Sequence, residues 1–271
     1  MKGPHLTPEP AGAEESRPRR AAPACASCGG TGFESVQSPD SLTRVRRCGC
    51  QAEGLADRLL RQARIPRRYA GCSFDSYDDL NPSLSLAKRQ VRKFVEEYPI
   101  HDQGLLLLGP CGLGKTHLAT AALQTLIREK GVRGLFCDFR DLLKEIQASY
   151  NSESGSTEMD ILMPVFSAEV LVLDDLGATK MTDWVRDTLA HIINNRYNDR
   201  RVSVFTSNLE DEPAKPGAEE RLRDRPTLRD QIGAPLRSRL DEMCEVIRLE
   251  GDDFRRAVKK HTGRRPGGRP A

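Results

Sequence analysis

Residues 109–116 read Gly-Pro-Cys-Gly-Leu-Gly-Lys-Thr, a complete G-x-x-x-x-G-K-[ST] string, and no other stretch constrains the fold as tightly. The apolar run Leu105–Leu108 precedes it, and the helix-compatible stretch from Lys115 to Lys130 follows, ending at Gly131 as a C-cap. The order demanded is strand, tight turn, helix. Glycines let the backbone curl so that successive N–H groups point inward at a phosphate, and the helix N-terminus adds favourable partial charge. Lys115 reaches β- and γ-phosphates, and the Thr116 hydroxyl ligates Mg²⁺. The candidate nucleotide-binding residues are Gly109, Pro110, Cys111, Gly112, Leu113, Gly114, Lys115, Thr116 and His117. Cys111 contributes its backbone rather than its thiol.

From residue 104 apolar runs alternate with helical stretches. Leu105–Leu108, Leu135–Phe139, Val170–Leu173, Val202–Phe205 and Val246–Leu249 read as strands. Val185, Leu189, Ile192 and Ile193 share one helix face. This is the pattern of an α/β fold: a five-stranded parallel sheet flanked by helices. Val170–Leu173 is unbroken, as a central parallel strand should be, and ends in Asp174-Asp175. Carboxylates there sit in the ligand crevice of an open sheet. Asp174 is expected to hold Mg²⁺, directly or through water, and Asp175 to orient or deprotonate an attacking water. Asn208, after Val202–Phe205, either points at that water or is a turn residue.

Four of the eight cysteines fall close together: Cys25, Cys28, Cys48 and Cys50. Four thiolates suit a tetrahedral structural Zn²⁺. Cys25-x2-Cys28 is followed by glycines, and Gly49 offers a bend between Cys48 and Cys50 if both lie on one face of a strand. Arg44, Arg46 and Arg47 beside the cluster read either as a contact patch or as a solvated face. Cys72, Cys137 and Cys244 read as structural. The first 24 residues hold five prolines and no apolar h-region, which predicts a disordered tail, no secretory signal and a reducing, cytoplasmic setting. The longest aliphatic run has four residues, far short of the ~20 that span a bilayer, so no membrane association is expected. Residues 25–52 are then a zinc-binding module, 53–100 a helical linker and 101–256 the nucleotide-binding domain. Residues 257–271 form a basic disordered tail. Residues 210–230, with seven acids, five bases and three prolines, read as a solvated insertion.

The phosphate loop, Asp174-Asp175-Leu176-Gly177, Thr206-Ser207-Asn208 and Ser238-Arg239-Leu240 occur in the order seen in AAA+ ATPases. Asp138-Phe139-Arg140-Asp141-Leu142-Leu143, Ile192-Ile193-Asn194-Asn195-Arg196-Tyr197-Asn198 and Gly251-Asp252-Asp253-Phe254-Arg255 narrow the likeness. The chain resembles the DnaC/DnaI group of bacterial replicative-helicase loaders, and their relatives the IstB-type transposition helper ATPases, over about residues 60–256. The resemblance implies a P-loop AAA+ fold and ATP hydrolysis, with Asn208 as sensor 1, Arg239 as an arginine finger entering a neighbouring subunit's site, and Arg255 as sensor 2. It also implies self-association through ATP sites. Arg237 is the alternative finger. Leu142 to Ala168 lies where such proteins carry a helical element that contacts single-stranded DNA. There Tyr150 and Lys144 either stack and pair with phosphate or belong to an ordinary amphipathic helix. DnaI-type loaders begin with a zinc-binding domain that docks on the helicase. Asp175 stands where many AAA+ enzymes carry glutamate.

Three functions remain in play. The first is a loader placing a ring-shaped replicative helicase on single-stranded DNA, with ATP binding and slow hydrolysis as the switch. The second is a transposition helper, and the third a nucleotide-switched adaptor with little turnover. The cysteine module favours the first.

Overall fold

The computed structural model describes residues 25–29, 31, 33–37, 43–150, 155, 157–211, 226–251 and 253–254. Both expected tails, Arg255 and most of the 210–230 insertion lie outside the described residues. Two antiparallel strands, β1 (Phe33–Gln37) and β2 (Thr43–Arg47), pair from Phe33 opposite Arg47 to Gln37 opposite Thr43. Helix α1 (Gly49–Gln62) follows, and the chain divides into two units, residues 1–52 and 53–271.

Residues 53–100 are not a linker. They belong to the larger unit, and Leu59, Ala63, Phe74, Tyr77, Leu84, Ala87, Val91 and Val95 are buried in the same core as the phosphate-loop helix. The stretch contains α2 (Pro82–Glu97), which starts at Asn81, whose side chain accepts a hydrogen bond from Leu84 N at 2.9 Å, with proline at the first helical position.

The remaining elements alternate: β3 (Gly104–Leu108), α3 (Lys115–Lys130), β4 (Gly134–Asp138), α4 (Phe139–Ser149), α5 (Glu158–Ser167), β5 (Val170–Leu176), α6 (Asp183–Asn198), β6 (Val202–Ser207), α7 (Leu228–Ile232), α8 (Ala234–Met243) and β7 (Cys244–Arg248). The five strands from β3 to β7 form one parallel sheet in the order β4-β5-β6-β3-β7. Its apolar runs are continuous because both faces are covered. Leu105 and Leu107 face α2 and α3, while Leu106 and Leu108 face the core built with α4 to α8. β4 begins one residue before the expected run and gives up Phe139, because Asp138 caps α4 by accepting from Asp141 N. β7 likewise begins at Cys244 and stops before Leu249. Gly131 closes α3 at φ 64, as its position suggested.

The order places β6 between β5 and β3. The C-terminal end of β6 therefore opens into the gap between the Asp174-Asp175 pair and the phosphate loop.

Candidate nucleotide site and cysteine cluster

The loop from Gly109 to Gly114 joins β3 to α3 at the C-terminal edge of the sheet. All three of its glycines are required by space as well as by dihedral angle, Gly109 (φ 140) because a Cβ there would run into the Leu249 carbonyl oxygen. A Cβ on Gly112 (φ 86) would lie 1.9 Å from Asp253 Oδ1, and one on Gly114 (φ 80) would lie 2.5 Å from the Tyr77 ring. Lys115 is buried, and its ammonium donates to Gly109 O at 2.6 Å and Pro110 O at 2.7 Å. The cation is thus held over the loop where an entering phosphate would meet it.

Thr116 Oγ1 donates to Asp174 Oδ1 at 2.9 Å, and Thr206 Oγ1 donates to the same oxygen at 2.6 Å. Thr206 Oγ1 in turn accepts from Asp175 N at 2.9 Å, and Asn208 Nδ2 donates to Asp175 Oδ1 at 2.5 Å. One hydrogen-bonded run, Thr116–Asp174–Thr206–Asp175–Asn208, thus joins the ends of β5 and β6 to the first turn of α3. Asp175 has φ 63, unusual for a residue with a side chain, and the β5–β6 pairing slips between Leu173 and Leu176. The slip turns Asp175 out of the strand's regular alternation. Burial pushes the Asp174 carboxyl up, partly offset by the Thr206 and Thr116 hydroxyls and reinforced by Asp175 and Asp138. Burial also raises Asp175, against the opposing charge of Arg140. The Asp174 carboxylate and the Thr116 hydroxyl bonded to it offer hard oxygen donors beside the phosphate loop, so the residues present fit Mg²⁺ completed by water and phosphate oxygens.

Thr206, Arg140 and Asp138 were not singled out for this site from sequence. Nor was the wall on the far side of the loop. Ser76, Tyr77, Asn81, Leu84, His117 and Phe254 help line a cavity of 430 Å³ beside Gly112–Gly114. His117 Nε2 lies 2.9 Å from Ser73 O and 3.2 Å from Ser76 Oγ, so it faces this wall and not the Asp174 side.

Arg239 lies on α8, half-buried, 2.5 Å from Asn194 Oδ1 and with its guanidinium 6.0 Å from the Tyr197 ring centroid. Arg237 is differently placed. It is buried and forms a two-pronged pair with Asp211, at 2.5 and 2.6 Å, plus a bond to Asp241 at 2.7 Å. It clamps the point where the insertion leaves the domain, and Leu228 N donates to Glu210 O at 2.8 Å across the same base. Tyr150 donates to Glu158 Oε2 at 2.5 Å, and Lys144 pairs with Asp141 at 2.8 Å; both are exposed.

In the first unit the sulfur atoms of Cys25, Cys28, Cys48 and Cys50 lie within 4.8 Å of one another. Cys25 Sγ–Cys48 Sγ is 3.8 Å and Cys28 Sγ–Cys50 Sγ is 3.4 Å. A tetrahedron with Zn–S bonds of about 2.3 Å has edges of about 3.8 Å, so the four thiols fit zinc. The N–H groups of Cys28 and Ser27 pull the Cys25 thiol below its ordinary value, whereas the neighbouring Cys28 and Cys48 thiols push Cys50 up. The bend between Cys48 and Cys50 is not made by glycine flexibility. Cys48 follows β2, whereas Cys50 lies in the first turn of α1, so a strand-to-helix change brings both sulfurs inward. Arg44, Arg46 and Arg47 lie on β2; their side chains are outside the described residues.

The fold and site together define a P-loop ATP-binding protein of AAA+ type. The family of IstB-like ATP binding proteins matches residues 51–262, well over half of the chain, and the chain belongs to that family. The replicative helicase loader DnaC of Buchnera aphidicola subsp. Acyrthosiphon pisum is 26% identical over 202 residues, 74% of this chain and 76% of its own length. The replicative helicase loader DnaI of Bacillus subtilis is 28% identical over 200 residues, 73% of this chain and 62% of its own. A crystal structure of the DnaC helicase loader superposes with a TM-score of 0.58 at 32% identity, covering 68% of this chain and 100% of that one. Among the described residues no helix is long and apolar enough to cross a membrane.

Proposed function

We propose that this chain is an ATP-dependent loader that delivers a ring-shaped replicative helicase onto single-stranded DNA, with ATP binding and slow hydrolysis as the switch. The observation that carries the reading is the Thr116–Asp174–Thr206–Asp175–Asn208 run in one unit, preceded by a separate four-cysteine unit. The loop amides and Lys115 hold the β- and γ-phosphates. Thr116 and Asp174 would hold Mg²⁺, which neutralises charge on the phosphates when bound. Asp175, held by Asn208, orients the attacking water and takes its proton. Arg239 acts on the γ-phosphate of a neighbouring copy. Its contacts are a neutral amide and a ring, so its charge is open to a phosphate, whereas Arg237 is already matched by two carboxylates. The zinc-loaded cysteine unit docks the helicase, and α4–α5 touches the single strand through Tyr150 and Lys144. Arg255 would complete the site as sensor 2.

The test is a helicase-loading assay on circular single-stranded DNA with mixed variants. Arg239→Ala binds ATP yet hydrolyses it on the order of 10³-fold more slowly, and Lys115→Ala does not bind it. Mixed together they regain partial hydrolysis and loading, because one interface type joins an intact loop to an intact finger. Mixed assemblies that stay inactive would place Arg239 within its own subunit. Capture of a transposase in place of a helicase favours the helper function, and ATP binding without turnover the adaptor.

A further inference from the structure

Between Arg58 and Arg68 the chain carries five arginines, Arg58, Arg61, Arg64, Arg67 and Arg68, and no acid. All five are exposed. Arg58 and Arg61 stand three residues apart on α1 and share a face. Arg64 lies in the turn just after the helix, and Arg67 and Arg68 lie in the 3₁₀ turn that follows. Among the described residues only Arg64 meets a carboxylate, Glu145 at 3.9 Å, with both side chains more than half exposed. Such a pair is worth little.

The position of this stripe carries the argument. Phe136 N donates to Ala63 O at 2.7 Å, which seats the end of α1 against β4, the edge strand of the sheet. The Arg64–Glu145 contact then brings the stripe to α4, the helix that bears Lys144 and leads to Tyr150. Arg64 has φ 54, a conformation that glycine adopts at less cost, so an arginine there is not explained by the turn.

We propose that the Arg58–Arg68 stripe is a docking surface for the phosphate backbone of DNA, continuing the single-strand path from α4 across the β4 edge. The inference rests on the loader reading for the identity of the strand. Arginine suits the role because its planar, permanently charged fork pairs with phosphate oxygens. No base edge is read, so binding is sequence-independent and salt-dependent.

The test is fluorescence anisotropy of the full-length protein with a labelled 20-nucleotide thymidine strand and with a 20-base-pair duplex, from about 50 to 200 mM salt. Two variants are used: Arg58→Ala/Arg61→Ala/Arg67→Ala, and Arg64→Gly, which relaxes the backbone and so keeps the fold. The expected result is a salt slope shallower by about 0.7 for each arginine that contacts a phosphate on the single strand. Affinity at the lowest salt falls with it, while thermal midpoints stay at or above wild type for Arg64→Gly. The same loss confined to the duplex supports the stripe as a phosphate surface and counts against the loader reading. Unchanged slope and affinity on both DNAs overturn the stripe, as does a wild type that binds neither. Tyr150→Ala on the single strand reports on the loader path separately.

Discussion

In residues 25–50 four sulfurs converge on a space the size of one metal ion, whereas in the larger unit one guanidinium, Arg196, is enclosed by backbone oxygens. Arg196 is fully buried. Its Nη1 donates to Val165 O and Ala168 O, both at 2.9 Å, its Nη2 to Val202 O at 2.5 Å, and its Nε to Ser203 Oγ at 2.7 Å. Each unit thus has a place built for a cation, one for a metal ion and one filled by a guanidinium, and the rest of each unit depends on it differently. The cysteine unit has little else. Among its described residues only Cys28 and Cys48 are buried, and Phe33 and Val45 are 50% and 68% exposed. The larger unit has apolar cores on both faces of its sheet and uses Arg196 to satisfy carbonyls left open at the end of α5. Those carbonyls form the negative end of the helix dipole, which suits a charge without a carboxylate partner. Burial lowers the Arg196 pKa to about 9, so it stays charged at neutral pH.

The sharpest way to break the comparison is to remove the metal. Structural zinc contributes on the order of 10 kcal/mol to small modules of this kind. Cys28→Ser, or chelation of the wild type, is expected to release one zinc per chain and expose the amides of residues 25–50 to rapid hydrogen exchange. The exchange of β3 and α3 should not change. A zinc-free wild type with protected amides would leave the first unit without its cation.

The second test removes the other cation. Arg196→Met keeps apolar volume and leaves several buried carbonyls without a donor, at about 1–3 kcal/mol each. The expected loss is roughly 3–5 kcal/mol in denaturant unfolding of the larger unit. Arg196→Lys should recover only part of it, because an ammonium cannot reach the same acceptors with a planar fork. A loss below about 1 kcal/mol would mean that α5 and β6 hold their places through the apolar core alone.

What could be read from the sequence was what depends on neighbours along the chain. The phosphate loop, the Asp174-Asp175 strand end and the cysteine spacing are local patterns. Thr206 joined the site only because β6 lies between β5 and β3, and strand order is not a local property. The 53–100 segment reads as a linker in the sequence because its apolar residues are diluted by charge. Leu84, Ala87, Val91 and Val95 nonetheless recur at three- and four-residue spacing and are buried. Missing that packing also hid Tyr77 and the wall of the loop. Nothing in the sequence around Arg196 announces a buried guanidinium. Cys48 and Cys50 were paired correctly with the others, but the strand-to-helix change between them was not foreseen.

The smallest expected effect replaces charge by a neutral bond. Tyr77 is buried, donates from its hydroxyl to Leu113 O at 2.8 Å, and sets its ring against Gly114 and edge-on to His117, with centroids 5.4 Å apart. Burial pushes its phenol well above the ordinary range, so it remains a donor wherever the protein is folded. Tyr77→Phe keeps the ring and deletes the bond, at about 1 kcal/mol, which corresponds to roughly fivefold in affinity. The bond fixes the loop before nucleotide arrives, so the loss should fall on ATP affinity measured by calorimetry. Turnover at saturating ATP should hold, because the Asp175 side of the loop is untouched. Asn208→Ala should show the reverse, with affinity kept and turnover lowered. If Tyr77→Phe lowers turnover and leaves affinity alone, the wall at Tyr77 is coupled to the Asp175 side through the loop, and the two faces of the site cannot be treated as separate.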